Sequence, residues 1–342
     1  MIFDNMLFHN VKELVKEADG YRICRMPERV RKNLDVAGQF LGQCTPGVEI
    51  RFFMVSDQVR LYLRRGHDDM MKDPNTSGKI PDGLVEVYQG DSPKIGRQSS
   101  IIITDRCTEI VINKQKQRNP LWNNRNRFAD GLIRVIVPYD WKFYYCGVEG
   151  KVRPPEEKDM PQKRLLAYGS SITQGGNAVA PSQTYAMVLA ELLEMDLINM
   201  GMAGSCRIEP AMIDYISGIP AEAIILELGV NVLEVYSENL FEDRVRHLLI
   251  SMKKSHPGIP IVCTDIFPCY LYRTMQEKRK KFSQIVRKCI EECDVRMTYL
   301  PGEDAFYGNQ YLSCDYIHPS VTGHMRIAEY FYQAFINNGF RG

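Results

Sequence analysis

Four short stretches of this 342-residue chain carry residue types that can act on one another chemically. In YGSSITQGG, Ser171 follows an apolar run and precedes a helical pattern. A serine in a strand-to-helix turn presents its hydroxyl at the end of a sheet, with the backbone N–H groups of the helix start close by. Ser171 is therefore the candidate nucleophile. Far along the chain, Asp315 stands three residues before His318 in DYIHP. A carboxylate at that spacing can accept from the imidazole Nδ1–H, which fixes the tautomer and leaves Nε2 to take a serine proton. Asp315 and His318 supply a base and its orienting group. Two further loops offer donors to a tetrahedral oxyanion: Asn199 to Ser205, with Gly201, Ala203 and Gly204, and the triplet Gly229, Val230, Asn231. Singly, each of these is more often a turn residue or a satisfied structural histidine; their combination in one domain carries the reading.

Two decoys are set aside. Gly90, Asp91 and Ser92 are followed by Pro93, no helical pattern begins there and no DxxH lies nearby, so they read as a turn. His324 sits within the last helical pattern without a carboxylate three residues upstream, so His318 is the preferred base.

These residues need elements to hold them. In residues 1–150, short runs alternate apolar and polar residues (Val48, Ile50, Phe52; Val59, Leu61, Leu63), and Ser99 to Thr104, Glu109 to Asn113 and Gly131 to Val137 read as further strands. This predicts a β-sandwich or jelly roll. Residues 151–163 are rich in proline and charge and read as an exposed linker. From 164 to 342 strands alternate with helices. Leu165 to Tyr168, Asp196 to Asn199, Ala223 to Leu228, Pro260 to Asp265 and Arg296 to Leu300 are strand-like. Helical faces are built on Tyr185, Val188, Leu189; on Val245, Leu248, Leu249, Met252; and on Ile327, Tyr330, Phe331, Ala334. Such alternation predicts a parallel sheet covered on both faces, a three-layer α/β/α domain, with ligands beyond the carboxyl ends of its strands.

Composition narrows the functional classes. Lys plus Arg number 43 against 42 Asp plus Glu, so nothing favours a nucleic acid or an anionic membrane as partner. The ten cysteines include no CxxC pair, and no metal site is expected. Cys289 and Cys293 continue the series Phe282, Ile285, Val286, Ile290 at helical spacing and read as part of a buried face. The first twenty residues are broken up by charges, and no stretch approaches the roughly 18 apolar residues of a membrane span. The expectation is a soluble protein of a reducing compartment, the cytoplasm.

The four loops, in this order and after these strands, resemble the SGNH hydrolase superfamily, the GDSL-type esterases. Its signature serine, glycine, asparagine and DxxH fall here on Ser171, Gly204, Asn231 and Asp315 with His318. The resemblance covers about residues 164 to 337 and implies a flavodoxin-like fold and acyl-hydrolase activity. Ser170 stands where the first motif usually has aspartate, and Val232 where aspartate often follows the asparagine. The preceding β domain is similar to the N-terminal sandwich of some two-domain carbohydrate esterases.

The reaction this implies is hydrolysis of an ester through a serine ester intermediate. His318 is the base, Asp315 its orienter, and the Ser171 and Gly204 N–H groups with Asn231 form the oxyanion hole. It needs no metal or organic cofactor. The expected substrate is a small-molecule or oligosaccharide ester with a small acyl group, best an acetyl on a sugar hydroxyl. Tyr270 and Tyr272, beyond the fourth strand, are candidates to line the substrate site, and Trp122 in PLWNNRNR is a candidate to stack on a sugar. Two alternatives stand beside this: a lipase or thioesterase for longer acyl chains, and a non-catalytic protein whose sandwich binds carbohydrate or makes a homo-oligomer.

Overall fold

The computed structural model of the chain describes residues 1–66, 83–94, 100–115, 127–270, 275–293 and 297–340. The described residues form two compact units: Met1–Pro27, Gln43–Gln162 and Ala180–Ser182 make the first; Glu28–Gly42, Lys163–Val179 and Gln183–Gly342 make the second.

The first unit is antiparallel β. One sheet runs through Ile2–Phe3, Met6–His9, Glu49–Met54, Leu132–Ile136, Gly83–Gln89 and Ser92–Pro93; the other runs through Thr108–Asn113, Gln58–Arg65, Phe143–Glu149, Gly20–Cys24 and Glu13–Glu17. Gln58–Arg65 shows why: Val59, Leu61 and Leu63 are wholly buried while Gln58 and Arg60 face outward, the period of two that a half-buried strand requires. Ile50, Phe52 and Val135 of one sheet share a single core with Leu61, Ile110 and Phe143 of the other, the arrangement of a β-sandwich. The charged N-terminal stretch also folds into strands, because Asp4, Asn5 and Asn10 take left-handed turns between them and only one face is buried. Val152–Arg153 pairs with Glu49–Met54, so part of the proline-rich stretch expected as linker adds to a sheet.

The second unit holds a parallel sheet. We number its strands β1 (Arg164–Tyr168), β2 (Asp196–Asn199), β3 (Ala223–Glu227), β4 (Ile261–Thr264) and β5 (Met297–Leu300), lying in the order β2-β1-β3-β4-β5. Its helices are α1 (Ser171–Gln174), α2 (Tyr185–Leu192), α3 (Pro210–Ser217), α4 (Glu238–Ser255), α5 (Gln276–Cys293) and α6 (Val321–Asn337). β3 is buried along its whole length, as the middle strand of a sheet covered on both faces must be. The chain steps one way from β1 to β2 and the other way from β2 to β3, β4 and β5. Right-handed crossovers therefore put α2 on one face and α3, α4 and α5 on the other; α6 packs on α2, and α4 packs on both α3 and α5. The direction changes between β1 and β3, so the crevice of this sheet opens at their carboxyl ends.

Two short helices, Glu28–Arg31 and Val36–Leu41, interrupt the β region in sequence and belong to the second unit. Asp35 caps the latter by accepting from Gly38 N–H at 2.7 Å and also accepts from Ser205 Oγ at 2.6 Å. Its own N–H donates to Glu209 Oε1 at 2.7 Å. Nothing local in a turn and six helical residues says which unit they join; the partners of Asp35 do. Among the described residues no helix is long and apolar enough to cross a membrane.

Candidate active site

Three residues after the end of β1 the chain is already in α1. Ser170 is its N-cap, with Oγ accepting from Ile172 N–H at 3.1 Å, and Ser171 is the first helical residue, partly open to solvent. Gly169 is glycine for want of room: a Cβ there would meet Thr173 Oγ1 and lie 2.6 Å from Glu227 Oε2. The backbone can turn directly off the strand only because no side chain intervenes.

His318 approaches from the other end of the domain, just before α6. Its Nε2 lies 2.7 Å from Ser171 Oγ, and its Nδ1 lies 2.6 Å from Asp315 Oδ2. Asp315 Oδ1 accepts from the N–H groups of Ile317 at 2.9 Å and His318 at 3.0 Å and from Ser313 Oγ at 2.8 Å. Tyr316, with φ of 56°, is the left-handed residue that lets the carboxylate reach over its own turn. Burial pushes the Asp315 carboxyl up, but the bonds from the His318 ring, the two N–H groups and Ser313 outweigh it and hold the group well below the usual carboxylate range. An ionised Asp315 accepts from Nδ1–H, so Nε2 is the nitrogen that can accept from Ser171.

Two glycines in the loop after β2 differ. Gly201 is a packing residue: a Cβ there would strike Gln174 N and come within 2.6 Å of Gln174 Cα. Gly204 has φ of 63° and faces open space, with nothing within 4 Å of where a Cβ would stand. The loop is held against α1 by Asn199, whose Nδ2 donates to Thr173 O at 2.8 Å and whose Oδ1 accepts from Gly201 N–H at 2.8 Å, and by Ala203 N–H on Gln174 Oε1 at 2.9 Å. After β3, Asn231 Oδ1 accepts from Cys206 N–H at 3.0 Å, which fixes the amide and turns Nδ2 away from that contact. Among the described residues, Ser171 N–H, Gly204 N–H and Asn231 Nδ2 have no hydrogen-bond partner. These are three donors at the ends of β1, β2 and β3, the set that can stabilise a tetrahedral oxyanion.

The remaining candidates separate. Tyr270 is 56% exposed; its N–H donates to Tyr316 O at 2.9 Å and its ring lies 6.2 Å from that of Tyr316, beside the Asp315–His318 turn. Tyr272 and Trp122 lie outside the described residues. His324 is wholly buried, with Nδ1 accepting from Tyr185 N–H at 3.2 Å and Nε2 2.9 Å from Gly176 O, so both its nitrogens are engaged away from Ser171. In the first unit, Asp91 accepts from the N–H groups of Arg127 and Phe128 and from Arg127 Nε, and Gly90 takes φ of 59°, so the Gly90-Asp91-Ser92 sequence is a structural turn. No group of three or more His, Cys, Asp or Glu side chains among the described residues is placed to hold a metal.

Two polar residues of this site were missed by sequence reasoning. Asn177 Nδ2 donates to Asp315 Oδ2, and Glu227 lies buried beneath Ser170. The only local signal for Asn177 was an asparagine following two glycines, a residue that tolerates a left-handed backbone; for Glu227 it was one carboxylate inside the apolar run AIILELG.

Residues 162–336, just over half of the chain, match the model of the GDSL-like Lipase/Acylhydrolase family. The chain belongs to that family. No curated protein matches this GDSL-like chain. Solved structures share its architecture over nearly the whole length. A salicylyl-acyltransferase from a tetracycline biosynthetic pathway is 17% identical, with a TM-score of 0.79 and coverage of 98% of this chain and 95% of the other. A family two carbohydrate esterase from Clostridium thermocellum, in complex with cellohexaose, is 13% identical, with a TM-score of 0.60 and coverage of 97% and 98%. An acetyl xylan esterase from the rumen bacterium Butyrivibrio proteoclasticus is 12% identical, with a TM-score of 0.55 and coverage of 98% and 96%. At such identities the likeness is one of fold: an α/β unit with a parallel sheet and an antiparallel β region before it, the fold class that the strand and helix patterns predict.

Proposed function

We propose that the chain is a serine esterase that removes a small acyl group, best an acetyl, from a carbohydrate hydroxyl. The observation that carries the reading is the unbroken run from Ser171 Oγ to His318 Nε2 at 2.7 Å and from His318 Nδ1 to Asp315 Oδ2 at 2.6 Å. His318 takes the Ser171 proton as Oγ attacks the ester carbonyl. The carbonyl oxygen becomes an oxyanion beside Ser171 N–H, Gly204 N–H and Asn231 Nδ2, where donors already oriented need no reorganisation. His318 then protonates the leaving alcohol, the serine ester forms, and water repeats the sequence to release the acid. Asp315 keeps its charge throughout and stabilises the imidazolium.

Support for the carbohydrate part comes from the two carbohydrate-ester hydrolases that share the full-length architecture, and for the ester chemistry from the family match. The test is a hydrolysis screen of p-nitrophenyl esters of short and long acids beside acetylated sugars, run on wild type, Ser171→Ala and Ser92→Ala. The expected result is cleavage of acetyl esters, lost in Ser171→Ala and kept in Ser92→Ala. Preference for long acyl chains would make the protein a lipase or thioesterase, and a fluorophosphonate adduct on Ser92, or on no serine, would overturn the catalytic assignment.

A further inference from the structure

Beneath the nucleophile turn lies a carboxyl that the proton relay does not use. Glu227, the last residue of β3, is 1% exposed. Its Oε2 accepts from Ser170 N–H at 2.7 Å, from Ser170 Oγ at 2.7 Å and from Thr173 Oγ1 at 2.9 Å. Among the described residues its Oε1 has no hydrogen-bond partner. Tyr185 OH closes the group from below, 2.6 Å from Thr173 Oγ1. Burial pushes the carboxyl up against the pull of the Ser170 and Thr173 bonds. An under-satisfied acidic group in the middle of a sheet costs stability wherever an apolar residue would serve, so its retention asks for a purpose.

The purpose follows from the length of α1. Four residues cannot hold a helical turn by their own hydrogen bonds, because nucleation consumes more conformational freedom than one turn returns. Ser171 sits on that turn, and its direction is set by whatever grips the residues on either side. Glu227 grips Ser170 at two atoms and Thr173 at one. We infer that Glu227 is a positioning residue for the nucleophile: by gathering Ser170 N–H, Ser170 Oγ and Thr173 Oγ1 onto one oxygen it aims Ser171 Oγ at His318 and the Ser171 N–H at the oxyanion. The inference rests on Ser171 being the nucleophile. It also accounts for serine at position 170. Ser170 Oγ donates to Glu227 while accepting from Ile172 N–H, whereas an ionised aspartate has no proton to donate and would set a second acceptor against Oε2.

The experiment compares Glu227→Gln, which keeps an oxygen acceptor in place, with Glu227→Leu, which removes it at similar volume, with Ser171→Ala alongside. In folded protein, Glu227→Leu is expected to lose about 10- to 100-fold in kcat with KM within about twofold, and its rate of fluorophosphonate labelling should fall by the same factor. Glu227→Gln should hold kcat within about threefold of wild type. A purely structural role would lower the folded fraction and leave kcat per folded molecule intact. If Glu227→Leu does not fold, Ser170→Ala combined with Thr173→Val removes two of the three donors with Glu227 in place, and the same loss in kcat at constant KM is expected. The inference is overturned by an unchanged kcat in Glu227→Leu or in that double variant, by a loss confined to KM, or by equal losses in the Gln and Leu variants. Activity surviving in Ser171→Ala would instead overturn the nucleophile and leave Glu227 without this task.

Discussion

Asn177 Nδ2 donates to Asp315 Oδ2 at 2.8 Å, onto the same oxygen that accepts from His318 Nδ1, and to Ser313 Oγ at 2.7 Å. The nucleophile loop therefore holds the aspartate of the far turn directly, besides meeting it through His318. Asn177 has φ of 63°, so glycine is the substitution that removes the donor without adding backbone strain. Asn177→Gly is expected to lower kcat about three- to tenfold with little change in KM, the loss of one charge-assisted bond at a half-exposed site. A kcat equal to wild type would show that the other donors to Asp315 suffice.

Asn231→Ala removes the one side-chain donor among the three at the strand ends. Removal of an oxyanion donor costs about 2.7 to 4 kcal/mol in the transition state, so kcat should fall by about 100-fold or more while KM stays near wild type. Steady-state kinetics on an activated acetyl ester measures both. A change confined to KM would make Asn231 a ground-state binding residue.

Only a neutral imidazole can accept the Ser171 proton, and Asp315 sets which of its two nitrogens is free to do so. Asp315, held well below the usual carboxylate range, keeps its charge as the pH falls through mild acid. Asp315→Asn keeps the shape but supplies no carboxylate for Nδ1–H, leaving the tautomer wrongly set; kcat/KM should fall by about 100-fold or more. A pH profile of both enzymes checks this, and near-full activity in Asp315→Asn would reduce the relay to Ser171 and His318.

His324 has a pH dependence of its own. Burial pushes it down to about 4, against an ordinary value of 6.5. Between those two values the unfolded chain binds a proton that the folded chain does not, so stability is full above pH 6.5 and is lost as the pH falls toward 4. The loss approaches about 3 kcal/mol. His324→Gln, which titrates in neither state, should show a smaller fall, and the stability difference between the two proteins should change in favour of the variant as pH drops. Denaturant unfolding at pH 7, 5.5 and 4.5 measures it, and a constant difference would rule His324 out as the source.

What could be read from the chain directly was whatever a local pattern encodes. β2 runs over Asp196–Asn199, as its apolar run predicts, and β1 begins one residue before the expected Leu165, because burial of a strand or a helix face writes a period of two or of about 3.6 into consecutive residues. The order of the four loops singled out Ser171, Gly204, Asn231, Asp315 and His318 by resemblance. The rest depended on which strands lie side by side. Ser171 and His318 are 147 residues apart and meet because the order β2-β1-β3-β4-β5 and the docking of α6 on α2 bring their turns together. The same order decides that Glu227 of β3 lies under the loop of its neighbour β1, that Gly201 packs on α1 while Gly204 faces open space, and that Asp35 reaches Ser205 from a segment surrounded in sequence by β structure. A hydrogen bond between distant residues leaves no periodic trace in either stretch, since its partners are single polar residues whose spacing along the chain is arbitrary, and only the packed sheet makes them neighbours.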